Sequence, residues 1–132
     1  MCNIKFGYLF FACVLFIVAC QKADDNGPLG AFWKLLEVEY LADGSKNDLR
    51  AQNLFMAVQL NLMQFSGNRL HYARFQHQGD SLFIQMIGGD ADKKFLESFG
   101  LNGQEQRFFV EKLNSKSLIL KSEYSILRFK KF

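Results

Sequence analysis

The sequence predicts an all-β fold, an antiparallel up-and-down barrel of about eight strands with room for one short helix. Three observations predict it. Short segments alternate apolar and polar residues, as in Val58-Gln59-Leu60-Asn61-Leu62, the period of a half-buried strand. Turn-forming groups separate these segments, among them Asp43-Gly44, Ser66-Gly67-Asn68, Gly79-Asp80 and Asn114-Ser115-Lys116. No segment carries a convincing long amphipathic-helix pattern. Sequential hairpins build an up-and-down sheet, and such a sheet removes its exposed edges by closing on itself.

The chain opens on a different kind of segment. Lys5 is followed by fourteen uncharged, mostly apolar residues, Phe6 to Ala19. As a helix they reach about 21 Å, short of the roughly 30 Å of a hydrocarbon core. A charged start, a short apolar run and a processing site make an export signal. The run ends in Ile17-Val18-Ala19-Cys20. An aliphatic residue three before a cysteine, with Ala just before it, resembles the lipobox of lipoproteins processed by signal peptidase II. Ordinary cleavage at a pair of small residues fits less well, because Val18 is not small. The resemblance implies that residues 1–19 are a signal peptide and that Cys20, carrying lipid, is the first mature residue. Location in the outer membrane, facing the periplasm or the cell surface, is the corresponding expectation.

Removing residues 1–19 takes away Cys2 and Cys13, leaving Cys20 with its sulfur in a thioether. No disulfide and no cysteine-ligated metal site is then expected. The remaining 113 residues suffice for one modest core. Fifteen Lys and Arg remain against thirteen Asp and Glu, an excess too small to argue for nucleic acid. Residues 20–29 read as the lipidated cysteine and a flexible tether, being polar and containing the single proline, Pro28. Asp24 and Asp25 soon after Cys20 also resemble the signal that exports some Bacteroidota lipoproteins to the cell surface; a plain spacer explains them equally well.

Residues 30–132 form the barrel domain. Residues 32–40 are apolar and aromatic and end at the Asp43-Gly44 turn. Residues 54–65 read as one alternating strand. Residues 69–78 and 81–87 flank Gly79-Asp80. Gly88-Gly89-Asp90-Ala91-Asp92 breaks the pattern, residues 94–99 suit a short helical turn, and Gly100 stops it. Residues 105–113 make a strand with Phe108 and Val110 on one face and Phe109 on the other. Residues 117–121 and 124–132 complete the count at seven, or eight if residues 43–52 or 90–102 hide another. The expected interior positions are Trp33, Leu35, Val58, Leu60, Leu62, Tyr72, Leu82, Ile84, Phe108, Val110, Leu118, Leu120, Leu127 and Phe129.

Gly30-Ala31-Phe32-Trp33-Lys34-Leu35 at the start, Phe75-Gln76-His77-Gln78-Gly79-Asp80-Ser81-Leu82 in the middle, and the run from Leu113 to Ser122 leading to Leu127-Arg128-Phe129-Lys130-Lys131-Phe132 together resemble the lipocalin-like lipoproteins of Bacteroidota. The resemblance covers roughly residues 29–132 and implies a calycin-type eight-stranded barrel. In lipocalins a Gly-x-Trp on the first strand is covered by a late Arg. Here the spacing is Gly-x-x-Trp, and the resemblance implies that Arg128 stacks on Trp33, a contact of about 0.5–2 kcal/mol.

No catalytic group assembles in the sequence. His71 and His77 lie about 20 Å apart on one strand and cannot share a metal. Glu37 and Glu39 share a strand face, a spacing found in glycosidases but also on many solvated strands. Asp90 and Asp92 lack the further oxygens that Ca²⁺ needs. The serines have no nucleophile elbow, and no glycine-rich loop has phosphate-binding spacing. Arg74-Phe75 and the Arg128–Phe132 run interleave bases with aromatics, which suits base stacking but equally suits a strand with its core inside and its charges outside. Three functions stay open. The first is a membrane-tethered protein holding a small apolar or amphipathic ligand in the barrel. The second is an interaction or inhibitor module using residues 43–52 or 88–102 against an envelope protein. The third, least supported, is a hydrolase. No cofactor and no metal is expected.

Overall fold

The computed structural model describes residues 26–88 and 92–132, and among these nine strands form: β1 (Phe32–Tyr40), β2 (Lys46–Asp48), β3 (Phe55–Gln59), β4 (Leu62–Ser66), β5 (Leu70–Gln78), β6 (Ser81–Met86), β7 (Glu105–Leu113), β8 (Ser117–Lys121) and β9 (Ser125–Lys131). Lys5, the lipobox with Cys20, Asp24, Asp25 and Asp90 lie outside the described residues. Every strand pairing is antiparallel. β1 and β3 to β9 follow one another around the sheet, and β9 returns to pair with β1, closing an eight-stranded barrel.

β2 is an addition to this ring. β9 runs along one edge of β1 from Trp33 to Tyr40. β2 and β3 therefore share the other edge, β3 beside Phe32 to Lys34 and β2 beside Glu37 to Glu39. They act as one strand interrupted by residues 49–54, whose Leu49 and Leu54 turn into the core.

Two bulges keep charges out of the interior. An extra residue in β1 between Leu35 and Glu37 breaks the alternation. Trp33 and Leu35 point inward, and the next inward residue is Val38 rather than Glu37. β7 does the same between Val110 and Lys112, bringing Leu113 rather than Lys112 toward the core.

The registers place turns 60–61, 79–80 and 114–116 at one rim. There Asn26 Nδ2 donates to the Leu60 carbonyl at 2.8 Å, and a 3₁₀ turn, Gly27–Leu29, lays Leu29 into the core. Packing of the barrel thus begins at Leu29, inside the segment read from sequence as tether. The other rim carries residues 87–88 and 92–104, with helix α1 (Lys93–Ser98). Its Phe95 and the following Phe99 meet Phe65 edge-on at 5.8 and 5.2 Å. Gly100 then passes between β1 and β9 at φ +70°, where a Cβ would lie 2.6 Å from Val38 and 2.8 Å from Leu127. The buried Ser125 Oγ donates to its carbonyl at 2.6 Å.

Candidate functional site

Eleven of the fourteen expected interior residues are buried: Trp33, Leu35, Val58, Leu82, Ile84, Phe108, Val110, Leu118, Leu120, Leu127 and Phe129. Leu60, Leu62 and Tyr72 are instead 53, 41 and 45% exposed. The segment 54–65 is not one strand but a hairpin turning at Leu60-Asn61. Gln59 pairs with Leu62, so both face outward, and Val58 pairs with Met63, so both face inward. A two-residue turn thereby re-phases every later residue in that segment. Tyr72 pairs with Gln64 outside, while the small Ala73 faces inward beside Met63 and Met86.

The Trp33–Arg128 pair does not form. Trp33 is wholly buried and its Nε1 donates to the Leu29 carbonyl at 3.0 Å. Arg128, opposite Glu37 across β1 and β9, is on the outer wall, where Nη1 donates to Glu37 Oε2 at 2.8 Å and Glu39 Oε1 at 3.0 Å. Trp33 stands opposite Lys131, and successive residues of a strand face opposite sides. The β1 bulge is what carries both glutamates to the outside, where Arg128 meets them.

Side chains fill the barrel. Val38, Met56, Met63, Phe65, Ala73, Phe75 and Met86, none named from sequence as interior, join the core. Among the described residues the two buried polar side chains are satisfied: Ser125 through Gly100, and Gln106 through the Gly103 carbonyl at 3.1 Å.

The larger depression lies in the wall. β7 has nine residues and β8 only five, so β8 pairs with Phe109 to Leu113 and leaves residues 105–108 without a β8 neighbour. Beside this gap the chain turns at residues 122–124 into β9. The result is a cleft of about 980 Å³, open to solvent. Leu41, Phe108, Phe109 and Tyr124 supply its apolar surface; Gln78, Glu105, Gln106, Arg107, Lys121 and Glu123 supply its polar groups. Phe109 is 53% exposed. Tyr124 packs edge-on to Tyr40 at 5.6 Å, and burial, then the nearby Tyr124 and Glu97, raise the Tyr40 phenol above its ordinary pKa. Of the expected interior residues only Phe108 lines this cleft. The unequal lengths of 105–113 and 117–121, legible in the sequence, were the available signal for it.

A smaller depression of about 540 Å³ sits at the α1 rim, between residues 51–54, 67–69 and the helix. His71 lines it, its ring stacked on Phe95 at 3.9 Å. His77 sits six residues farther along β5, opposite Leu82. Asp92 caps α1, its Oδ1 accepting from the Lys94 N–H at 2.7 Å. Among the described residues no three His, Cys, Asp or Glu side chains converge as metal ligands, and no helix is long and apolar enough to cross a membrane.

A family model described as a lipocalin-like domain matches residues 14–132. Two solved structures resemble the chain. A lipocalin-like protein from Bacteroides uniformis is 24% identical, with a TM-score of 0.69, over 80% of this chain and all of that one. An uncharacterized protein from Bacteroides eggerthii is 20% identical, with a TM-score of 0.62, over 77% of this chain and 98% of that one. At these identities the likeness speaks to fold alone. No curated protein matches the sequence.

Proposed function

The chain belongs to the lipocalin-like domain family, and on that premise we propose that it is a membrane-tethered binding protein that takes a small amphipathic molecule in the wall cleft beside β7. The carrying observation is the interrupted β7–β8 pairing, which leaves an apolar floor of Phe109, Tyr124 and Leu41 rimmed by charged and amide groups. Pockets for small molecules combine an apolar lining with a few polar groups that fix orientation. This moves the expected ligand from the lumen to the wall, since the lumen is occupied by side chains. The reading is of a binder, on the strength of that mixed apolar and polar lining. Its tether is lipid on Cys20, an assignment resting on the sequence pattern around that residue.

Native mass spectrometry of the protein taken from its own envelope tests the reading by looking for a retained small molecule. Phe109→Ala with Tyr124→Ala should weaken binding of that molecule at least about tenfold, equivalent to about 1.4 kcal/mol. Melting should fall only modestly, by the loss of the Tyr124–Tyr40 edge contact. Unchanged binding would overturn the cleft assignment. The filled lumen also favours a second reading, an interaction or inhibitor module with no small ligand; absence of any retained molecule, with a protein partner recovered by crosslinking, would decide for it.

A further inference from the structure

We propose that the outer wall around Phe32, Phe55 and Phe132 rests on an anionic phospholipid surface. Phe32 and Phe55 stack at 5.0 Å, and Phe132 meets them edge-on at 5.7 and 5.0 Å. This cluster belongs to no core: Phe32 is 41% and Phe132 71% exposed. It forms because β1 joins β3 on one side and β9 on the other, bringing together three aromatic residues distant in sequence.

Charge complementarity selects the occupant. Lys34 and Lys130 are cross-strand partners on the same outer wall. Lys131 and Lys116 are bonded through their backbones at the adjacent rim. Among the described residues none of these four lysines makes an ion pair. The glutamates farther along β1 are already engaged by Arg128 and Lys46. Aromatic rings beside free lysines suit the headgroup level of a membrane, and unpaired lysines favour anionic lipid.

The chain outside the described residues points the same way. Six residues lead from Cys20 to Asn26 and span at most about 20–22 Å. The Gly27–Leu29 turn then delivers the chain directly to Phe32. An anchor at Cys20 therefore holds this wall near the bilayer; the proposal rests on the tether reading for that proximity.

The experiment uses protein from cells expressing the full chain, reconstituted into phosphatidylcholine vesicles with brominated acyl chains, with or without phosphatidylglycerol. Phe132→Trp reports on the proposed wall, and Leu70→Trp, exposed at the opposite rim, is the control. The wild type supplies the constant signal of buried Trp33. Quenching should remove about half of the Phe132→Trp emission and little of the Leu70→Trp emission, as for a shallow interfacial contact. It should fall about threefold without phosphatidylglycerol, or in Lys34→Gln with Lys130→Gln, if free lysines drive the contact. No quenching at position 132, or equal quenching at both positions, would overturn the proposal. An unquenched reporter with a concentration-dependent dimer in sedimentation would assign the wall to a second copy. Mass spectrometry of Cys20 separates the two readings. A lipidated Cys20 without quenching sinks the docking surface alone, and a lipid-free Cys20 with quenching sinks the tether alone.

Discussion

Arg128 joins the two strands that close the ring. One guanidinium nitrogen donates to Glu37 and Glu39, all three side chains being one-fifth to one-third exposed. Arg128→Ala leaves two carboxylates side by side and should cost about 1 kcal/mol, the modest figure that solvent screening allows. Thermal melting measures the loss, and adding Glu37→Gln and Glu39→Gln should recover much of it. The emission of Trp33 should not move, since Trp33 lies in the core with its own partner at Leu29; a spectral shift would restore the aromatic pairing that the family resemblance implies. Sequence alone could identify Arg128 as a late arginine on a strand, but not its partner. That was decided by a one-residue bulge, which no local pattern around Leu35-Leu36-Glu37 announces.

Among the elements, the β3–β4 hairpin was hard to read because a leucine, Leu60, holds the left-handed position of its Leu60-Asn61 turn. Leu60 stands at φ +54°, a left-handed conformation that costs a non-glycine residue about 1–2 kcal/mol. Hairpins normally place Gly, Asn or Asp at such a position. Leu60→Gly should therefore raise stability by up to about 1 kcal/mol, the gain in backbone freedom being partly offset by a more disordered unfolded state. Leu60 is half-exposed, so little packing is lost. Chemical denaturation measures the change, and a fall in stability would show that the side chain packs more than its exposure suggests. By contrast, 105–113 and 117–121 match β7 and β8 residue for residue, since each carries a short apolar run and Asn114 between them supplies a strong turn, its Oδ1 accepting from the Lys116 and Ser117 N–H groups. Residues 43–52 did hide a strand, β2, but its Lys46-Asn47-Asp48 has no apolar face to betray it.

At the scale of the molecule, Leu29 and Trp33 pack at one rim and the segment from Phe95 to Leu101 packs at the other, and the larger of the two depressions described lies on the flank. How the molecule is held is a separate prediction: Cys20→Ala should abolish labelling by radioactive fatty acid and leave an uncleaved precursor, and labelling that persists would refute the attachment. The sequence by itself determined the all-β class, the closed antiparallel order, most strand bounds and eleven of the buried positions, because alternation and turn residues act over a few neighbours. Tertiary structure alone decided the outward phase of Leu60, Leu62 and Tyr72, the partner of Arg128, the gathering of Phe32, Phe55 and Phe132, and the cleft beside β7. Each depends on which residue of one strand stands opposite which residue of another. A one-residue shift in that register turns a side chain from the core to the surface, and the register is set by the turns, bulges and strand partners of the folded sheet.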